Sequence, residues 1–178
     1  MTKKIIRNKN KGILFFITGL PGSGKTSIAK KIKEKISHLY GPTLEVSGNN
    51  LRKISNFNKY TQKARYEYIM NYFFFAKLIT DQKINLIFNV VGMYERFRLQ
   101  LKKIDNYVEI YIKADIHKII NSKKKKIYFG NKKNVVGLDI KPGFPKNSHI
   151  VINNDFDKTM DKLGKELLSK IKNLNLKS

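Results

Sequence analysis

The run Gly19-Leu20-Pro21-Gly22-Ser23-Gly24-Lys25-Thr26 constrains this chain more than any other feature of its sequence. It fits G-x-x-x-x-G-K-[ST] without a gap. The apolar segment 13–17 precedes it and a helical pattern over about 26–38 follows. That strand–turn–helix context gives the motif its meaning. Glycines permit a tight turn whose successive N–H groups point at phosphate oxygens, and the helix N-terminus adds partial positive charge. Lys25 is then placed to reach the β- and γ-phosphates of ATP, and the Thr26 hydroxyl to ligate Mg²⁺. Gly19, Gly22, Ser23, Gly24, Lys25, Thr26 and Ser27 are the expected ATP-binding residues, and Thr26 the expected metal ligand.

Apolar runs of strand length alternate with longer helical patterns over the rest of the chain, which predicts βαβ units and a parallel sheet. Strands are expected at 13–17, 43–47, 85–91, 108–112 and 150–152. Helices are expected at 61–81, 95–103 and 116–121, the last capped by Asp115, with a C-terminal helix capped by Asp157 and running to Lys172. The pattern fails over 122–145, a basic stretch broken by Pro142 and Pro145. A loop of that length in a compact domain suits an active-site lid. The expectation is an α/β fold in one domain over 1–178: a central parallel sheet of about five strands flanked by helices, with a basic lid loop.

Composition narrows the class. The net charge is +24, from 37 Lys and Arg against 13 Asp and Glu. Such a field attracts phosphorylated metabolites, nucleic acid or anionic membrane. Lysine, asparagine and isoleucine are abundant throughout, as an AT-rich genome writes them onto any surface. The charge is therefore read as solvated background with phosphate steering rather than as nucleic-acid binding. No helix-turn-helix, RRM or KH pattern is present. No apolar run spans a bilayer, and segment 13–17 is too short for a signal-peptide core, so a cytoplasmic location without membrane partners is expected. The chain has no cysteine, which excludes a disulfide framework, a thiol nucleophile and a thiolate metal site. GTPases, motor ATPases and small-molecule kinases share the phosphate loop. The chain is short for most motors, carries no N-K-x-D motif, and has no apolar strand ending in Asp-Glu. Those absences leave a small kinase, which needs a lid to keep water from the γ-phosphate.

Further blocks resemble the adenylyl-sulfate kinase family over about residues 12–165. Ser47-Gly48-Asn49-Asn50-Leu51-Arg52 stands where the family has D-G-D-N-x-R, and Asn56-Phe57-Asn58 stands for G-F-S. Val91-Gly92-Met93-Tyr94 stands for I-S-P-[FY]. Lys125-Lys126-Ile127-Tyr128 stands for K-G-L-Y, and Val135-Val136-Gly137-Leu138-Asp139 for F-T-G-I-D. The resemblance implies a P-loop kinase, a homodimer, and a small nucleotide acceptor bound by Asn50, Arg52, Phe57, Gln62, Arg65, Val91, Tyr128, Val135 and Asp139. Lys25, Ser47 and Asn49 would occupy the catalytic positions.

The departures fall on the acceptor side and spare the ATP side. Both D-G-D carboxylates are replaced, by Ser47 and Asn49; the family's Arg becomes Gln62, its Asn becomes Arg65, and its aromatic of F-T-G becomes Val135. A changed acceptor produces that distribution. The chain resembles the branch of the family that phosphorylates cytidine diphosphoramidate for capsule polysaccharide, and that resemblance, which the rewritten base pocket fits, implies transfer to a ribose hydroxyl, the 3′ position being favoured. Adenylyl sulfate is the alternative acceptor, and a nucleotide-binding module without transfer is the alternative of another class. Glu45 shares strand parity with Ser47 and Asn49; it and Asp139 are the carboxylates that remain.

Each candidate has a plainer reading. Ser47 and Asn49 suit a turn after a strand. Arg52 suits the start of a solvated helix, and Phe57 a cover residue. Gln62 and Arg65 suit a solvated helix face, and Lys123–Lys126 a charged loop. Tyr72 to Phe75 read as core, and His38, His117 and His149 as structural or surface residues.

Overall fold

The computed structural model describes residues 7–54, 61–122, 128 and 134–176. Among them the chain runs β1 (Leu14–Thr18), α1 (Lys25–Tyr40), β2 (Thr43–Ser47), α2 (Gly48–Ile54), α3 (Gln62–Asp81), β3 (Asn85–Asn89), α4 (Glu95–Leu101), β4 (Tyr107–Lys113), α5 (Ile116–Asn121), β5 (Ile150–Asn153) and α6 (Met160–Lys172). The strands form one sheet in the order β2-β3-β1-β4-β5, every neighbouring pair parallel.

β1 is apolar throughout because it lies in the middle of the sheet and is covered on both faces. Its side chains alternate. Phe15 and Ile17 enter a core with Ile28, Ile32, Leu163 and Leu167 of α1 and α6, while Leu14 and Phe16 enter a second core with Ile69, Ala76, Phe97 and Leu101 of α3 and α4. Tyr72 and Phe75 meet Phe88 on that side, with ring centroids 5.7 and 6.2 Å apart, as a core reading of the aromatic run requires. Phe74 departs from it and is exposed, since residue 74 of α3 points away from the sheet.

Other differences are local. β3 stops at Asn89 rather than 91, and Gly92, at φ +51°, turns the chain away. α6 is capped not by Asp157 but by Thr159, whose hydroxyl accepts from Lys162 N at 3.3 Å. α2 is a short helix that periodicity does not announce. Asp115 caps α5, one carboxylate oxygen accepting from His117 N and Lys118 N at 2.8 and 3.1 Å. His149 is structural: its Nδ1 accepts from Glu109 N at 2.9 Å. Among the described residues no helix is long and apolar enough to cross a membrane.

β1 pairs with β3 on one side and β4 on the other, so the connections reverse direction there. In open parallel sheets the crevice at such a switch, outside the carboxyl ends of the strands, is where ligands bind.

Candidate active site

The phosphate motif leaves β1 at this crevice. Gly19 is held close: a Cβ there would meet Ile112 O at 2.5 Å. Gly24 is the N-cap of α1 in the left-handed region at φ 95°, and a Cβ would lie 2.9 Å from Asn154 Nδ2. A Gly24→Ala substitution therefore costs about 1–2 kcal/mol of stability from the backbone conformation alone, read as a lower urea midpoint, and it displaces Asn154. The loop is braced from two sides. Asn154, buried after β5, donates from Nδ2 to Ser23 O at 3.0 Å, and Tyr128 donates from its hydroxyl to Pro21 O at 2.8 Å. Burial pushes the Tyr128 phenol up to about 12, so it remains a neutral donor at neutral pH.

Lys25 is buried, and its ammonium folds onto the loop, donating to Leu20 O at 2.6 Å, Gly19 O at 2.9 Å and Ser23 Oγ at 3.4 Å. Charged phosphate oxygens are stronger acceptors than these carbonyls, so a polyphosphate in the loop competes for the same ammonium.

The loop forms one wall of a cleft of about 410 Å³. Gly22, Gly24, Lys25, Thr26 and Ser27 line it; so do Ser47, Asn49 and Arg52 from the β2–α2 junction and Val91 from the exit of β3. Two cations, Lys25 and Arg52, face it, and none of the described residues lining it is a carboxylate. This electrostatic setting suits a polyanion.

The expected acceptor residues separate into groups. Ser47 donates from its hydroxyl and its N–H to Asn50 Oδ1, and Asn50 N donates back to Ser47 Oγ at 3.2 Å, a reciprocal pair that starts α2. Arg52 donates from Nη2 to Asn49 Oδ1, which holds the guanidinium at the cleft. Val135 is buried with Leu20, Tyr111 and Tyr128, and it is its neighbour Val136 that lines the cleft. Asp139 accepts from Val135 N at 2.9 Å and so holds its own turn. Gln62 and Arg65 fall in the first turn of α3, with side chains outside the described residues, as are Phe57 and Lys123–Lys126.

Asparagines that end strands escaped the sequence reading. Asn89 accepts the Thr26 hydroxyl proton at 2.9 Å through Oδ1, and through Nδ2 donates to Glu45 and, at 3.4 Å, to Val46 O. Asn154, just past the end of β5, instead donates to Ser23 O. The signal that would have found them is a polar residue at the carboxyl edge of an otherwise apolar parallel strand. Phe156 and Met160 add an apolar flank beside the loop.

Comparison with known proteins agrees with this geometry. The family model described as adenylylsulphate kinase matches residues 11–153. A cytidine diphosphoramidate kinase of Campylobacter jejuni is 32% identical over 168 residues, covering 92% of this chain and 98% of that protein. An adenylyl-sulfate kinase of Clostridium kluyveri is 29% identical over 82% of this chain and 77% of that one. Among solved structures, the Mycobacterium tuberculosis APS kinase in complex with AMPPNP and APS superposes with a TM-score of 0.80 at 20% identity, covering 91% of this chain and 98% of that one; at that identity it bears on the fold.

Proposed function

The chain belongs to the adenylylsulphate kinase family, and from that premise we propose that this ATP-dependent phosphotransferase moves the γ-phosphate of ATP to a ribose hydroxyl, the 3′ one, of cytidine diphosphoramidate, for phosphoramidate modification of a capsule polysaccharide. One observation carries the choice of acceptor. An intact phosphate loop faces an acceptor wall whose two expected carboxylates are the neutral Ser47 and Asn49. The wall has changed while the loop has not. A relative named for the cytidine acceptor aligns over nearly the whole of both chains.

Mg²⁺ fits the donors present. The Thr26 hydroxyl, Ser47 and Asn49 line the cleft with neutral oxygens. Mg²⁺ keeps several waters and takes much of its remaining shell from substrate phosphates, so it needs few protein ligands. Thr26 would hold it directly, and Ser47 and Asn49 its waters; bound there, the ion would neutralise charge on the transferring phosphate.

Phosphoryl transfer passes through a loose, highly charged transition state, so positioning and charge neutralisation dominate. Loop N–H groups and Lys25 hold the β- and γ-phosphates, Arg52 holds the acceptor's phosphates as a planar fork, and Tyr128 clasps the loop. Phe156 and Met160 offer the ATP base an apolar flank. Met70, Phe74 and Leu78 recur every fourth residue on α3 and are exposed, an apolar stripe that supports a homodimer.

A second reading is nucleotide binding without transfer, favoured by the lack of a carboxylate among the described cleft residues. ADP release from ATP and Mg²⁺, measured in parallel with cytidine diphosphoramidate and adenylyl sulfate, tests both. Turnover on the cytidine compound alone is expected. Turnover on adenylyl sulfate overturns the choice of acceptor, and ATP binding without ADP release from either favours the second reading.

A further inference from the structure

We propose that Glu45, acting through Asn89, is the acidic group that sets the metal end of this cleft, as a positioning residue for the Thr26 hydroxyl. The proposal rests on the reading of the cleft as a Mg²⁺–ATP site.

β2 and β3 pair with Glu45 opposite Ile87 and Ser47 opposite Asn89. Residues 45, 47, 87 and 89 thus share a face of the sheet. Ile87 packs into the core with α1, which places that face toward the helix that carries Thr26. Asn89 is 2% exposed and has two chemically different ends. Its Nδ2 donates to the Glu45 carboxylate and to Val46 O; its Oδ1 accepts from Thr26 Oγ1 at 2.9 Å.

The orientation of that amide is decided by Glu45. Turned over, Asn89 would set its carbonyl oxygen against a carboxylate, two acceptors with no proton between them. With the amide held as observed, its oxygen accepts the hydrogen bond of the Thr26 hydroxyl. A hydroxyl whose O–H is engaged in that bond presents its lone pairs to the cleft, the form in which it ligates a hard cation. A carboxylate accepting directly from the threonine would fix the same state in one step. Here the two jobs are divided between strands: Asn89 makes the neutral contact, and Glu45 supplies orientation and charge. Because Glu45 is not among the residues lining the cleft, its charge is set back from the phosphates. This division offsets part of the loss of acidic groups at positions 47 and 49.

The test is the Mg²⁺ dependence of ATP binding to the full chain by calorimetry, with EDTA as the metal-free arm. Removing a partner that orients a metal ligand typically lowers metal affinity 10–100-fold. Glu45→Gln is expected to raise the Mg²⁺ midpoint about tenfold or more while metal-free ATP affinity stays unchanged. Adding Asn89→Asp, which brings a carboxylate directly to Thr26, is expected to return the midpoint toward wild type. A Glu45→Gln midpoint within about twofold of wild type, a proportional loss of metal-free binding, or failure of Asn89→Asp to rescue would each overturn the proposal. A wild-type chain that binds ATP equally with Mg²⁺ and with EDTA would refute the underlying metal-site reading, a result distinct from those three.

Discussion

Replacing Lys25 with alanine is expected to lower turnover by about 10²–10³-fold while leaving the fold intact, the usual consequence of removing one preorganised donor from a charged transition state. The reason lies in where the ammonium rests. It is buried, and it bonds to two loop carbonyls and a hydroxyl. Charged phosphate oxygens are stronger acceptors than these neutral groups, so the ammonium can swing onto a phosphate. Stability should fall by only about 1–3 kcal/mol, the cost of leaving the buried carbonyls of Gly19 and Leu20 without this donor, too little to unfold the chain. Lys25→Arg is expected to fail as well: a planar fork does not reproduce a compact point charge inside this loop. Steady-state ADP release together with thermal melting checks the pair of claims. A melting point that falls in step with activity would contradict them.

Replacing Arg98 with alanine is expected to act in the opposite way, through stability. Arg98 and Glu109 are both buried, at 6% and 2% exposure. Their charged groups approach only to 4.0 Å, and each spends its capacity elsewhere. Arg98 donates from Nη1 to Gly143 O at 2.7 Å and Gly92 O at 3.2 Å. Glu109 accepts from Tyr107 OH at 2.6 Å and Ser148 Oγ at 2.8 Å. Burial, then the neighbouring Glu109 charge, pushes the Tyr107 phenol up, so it remains a donor. Truncating Arg98 takes away an ion-pair partner of the buried Glu109, which costs about 3–5 kcal/mol. For a chain of this size that corresponds to a melting point lower by roughly 10 °C. Glu109→Gln is the informative companion, since it removes the charge and keeps an acceptor for Tyr107 and Ser148. Its loss should be smaller than that of Arg98→Ala, and an equal loss would mean that the hydrogen bonds matter more than the charge.

Legibility in the sequence followed the physics of each signal. The apolar run of β1 predicts a doubly covered strand because burial on both faces tolerates no polar residue, and the five parallel strands follow from the alternation of runs. Asp115 was readable as a cap since a carboxylate before a helical pattern has few other uses. Asp157 misled for the same reason: Thr159, two residues on, lies nearer the first helical turn and took the role. The phosphate loop was legible because its backbone conformation admits few sequences. The acceptor wall was less so. Ser47 and Asn50 satisfy each other's polar groups at the start of α2, a local pairing that position alone does not reveal. Val135 and Val136 are both buried in the cluster around Leu20, yet of the two Val136 also lines the cleft, and in a loop no strand parity says which of two valines will do so. Asn89 stayed hidden because its value comes from contacts with residues 44 and 63 positions away in the chain, Glu45 and Thr26.

This cleft is expected to esterify a nucleotide. Phosphorus NMR of the mixture after incubation with ATP, Mg²⁺ and cytidine diphosphoramidate tests it most directly. ADP and a new phosphate monoester resonance coupled to a ribose proton of the cytidine compound are the expected products. ADP accompanied only by inorganic phosphate, with the acceptor's ribose unchanged, would contradict it.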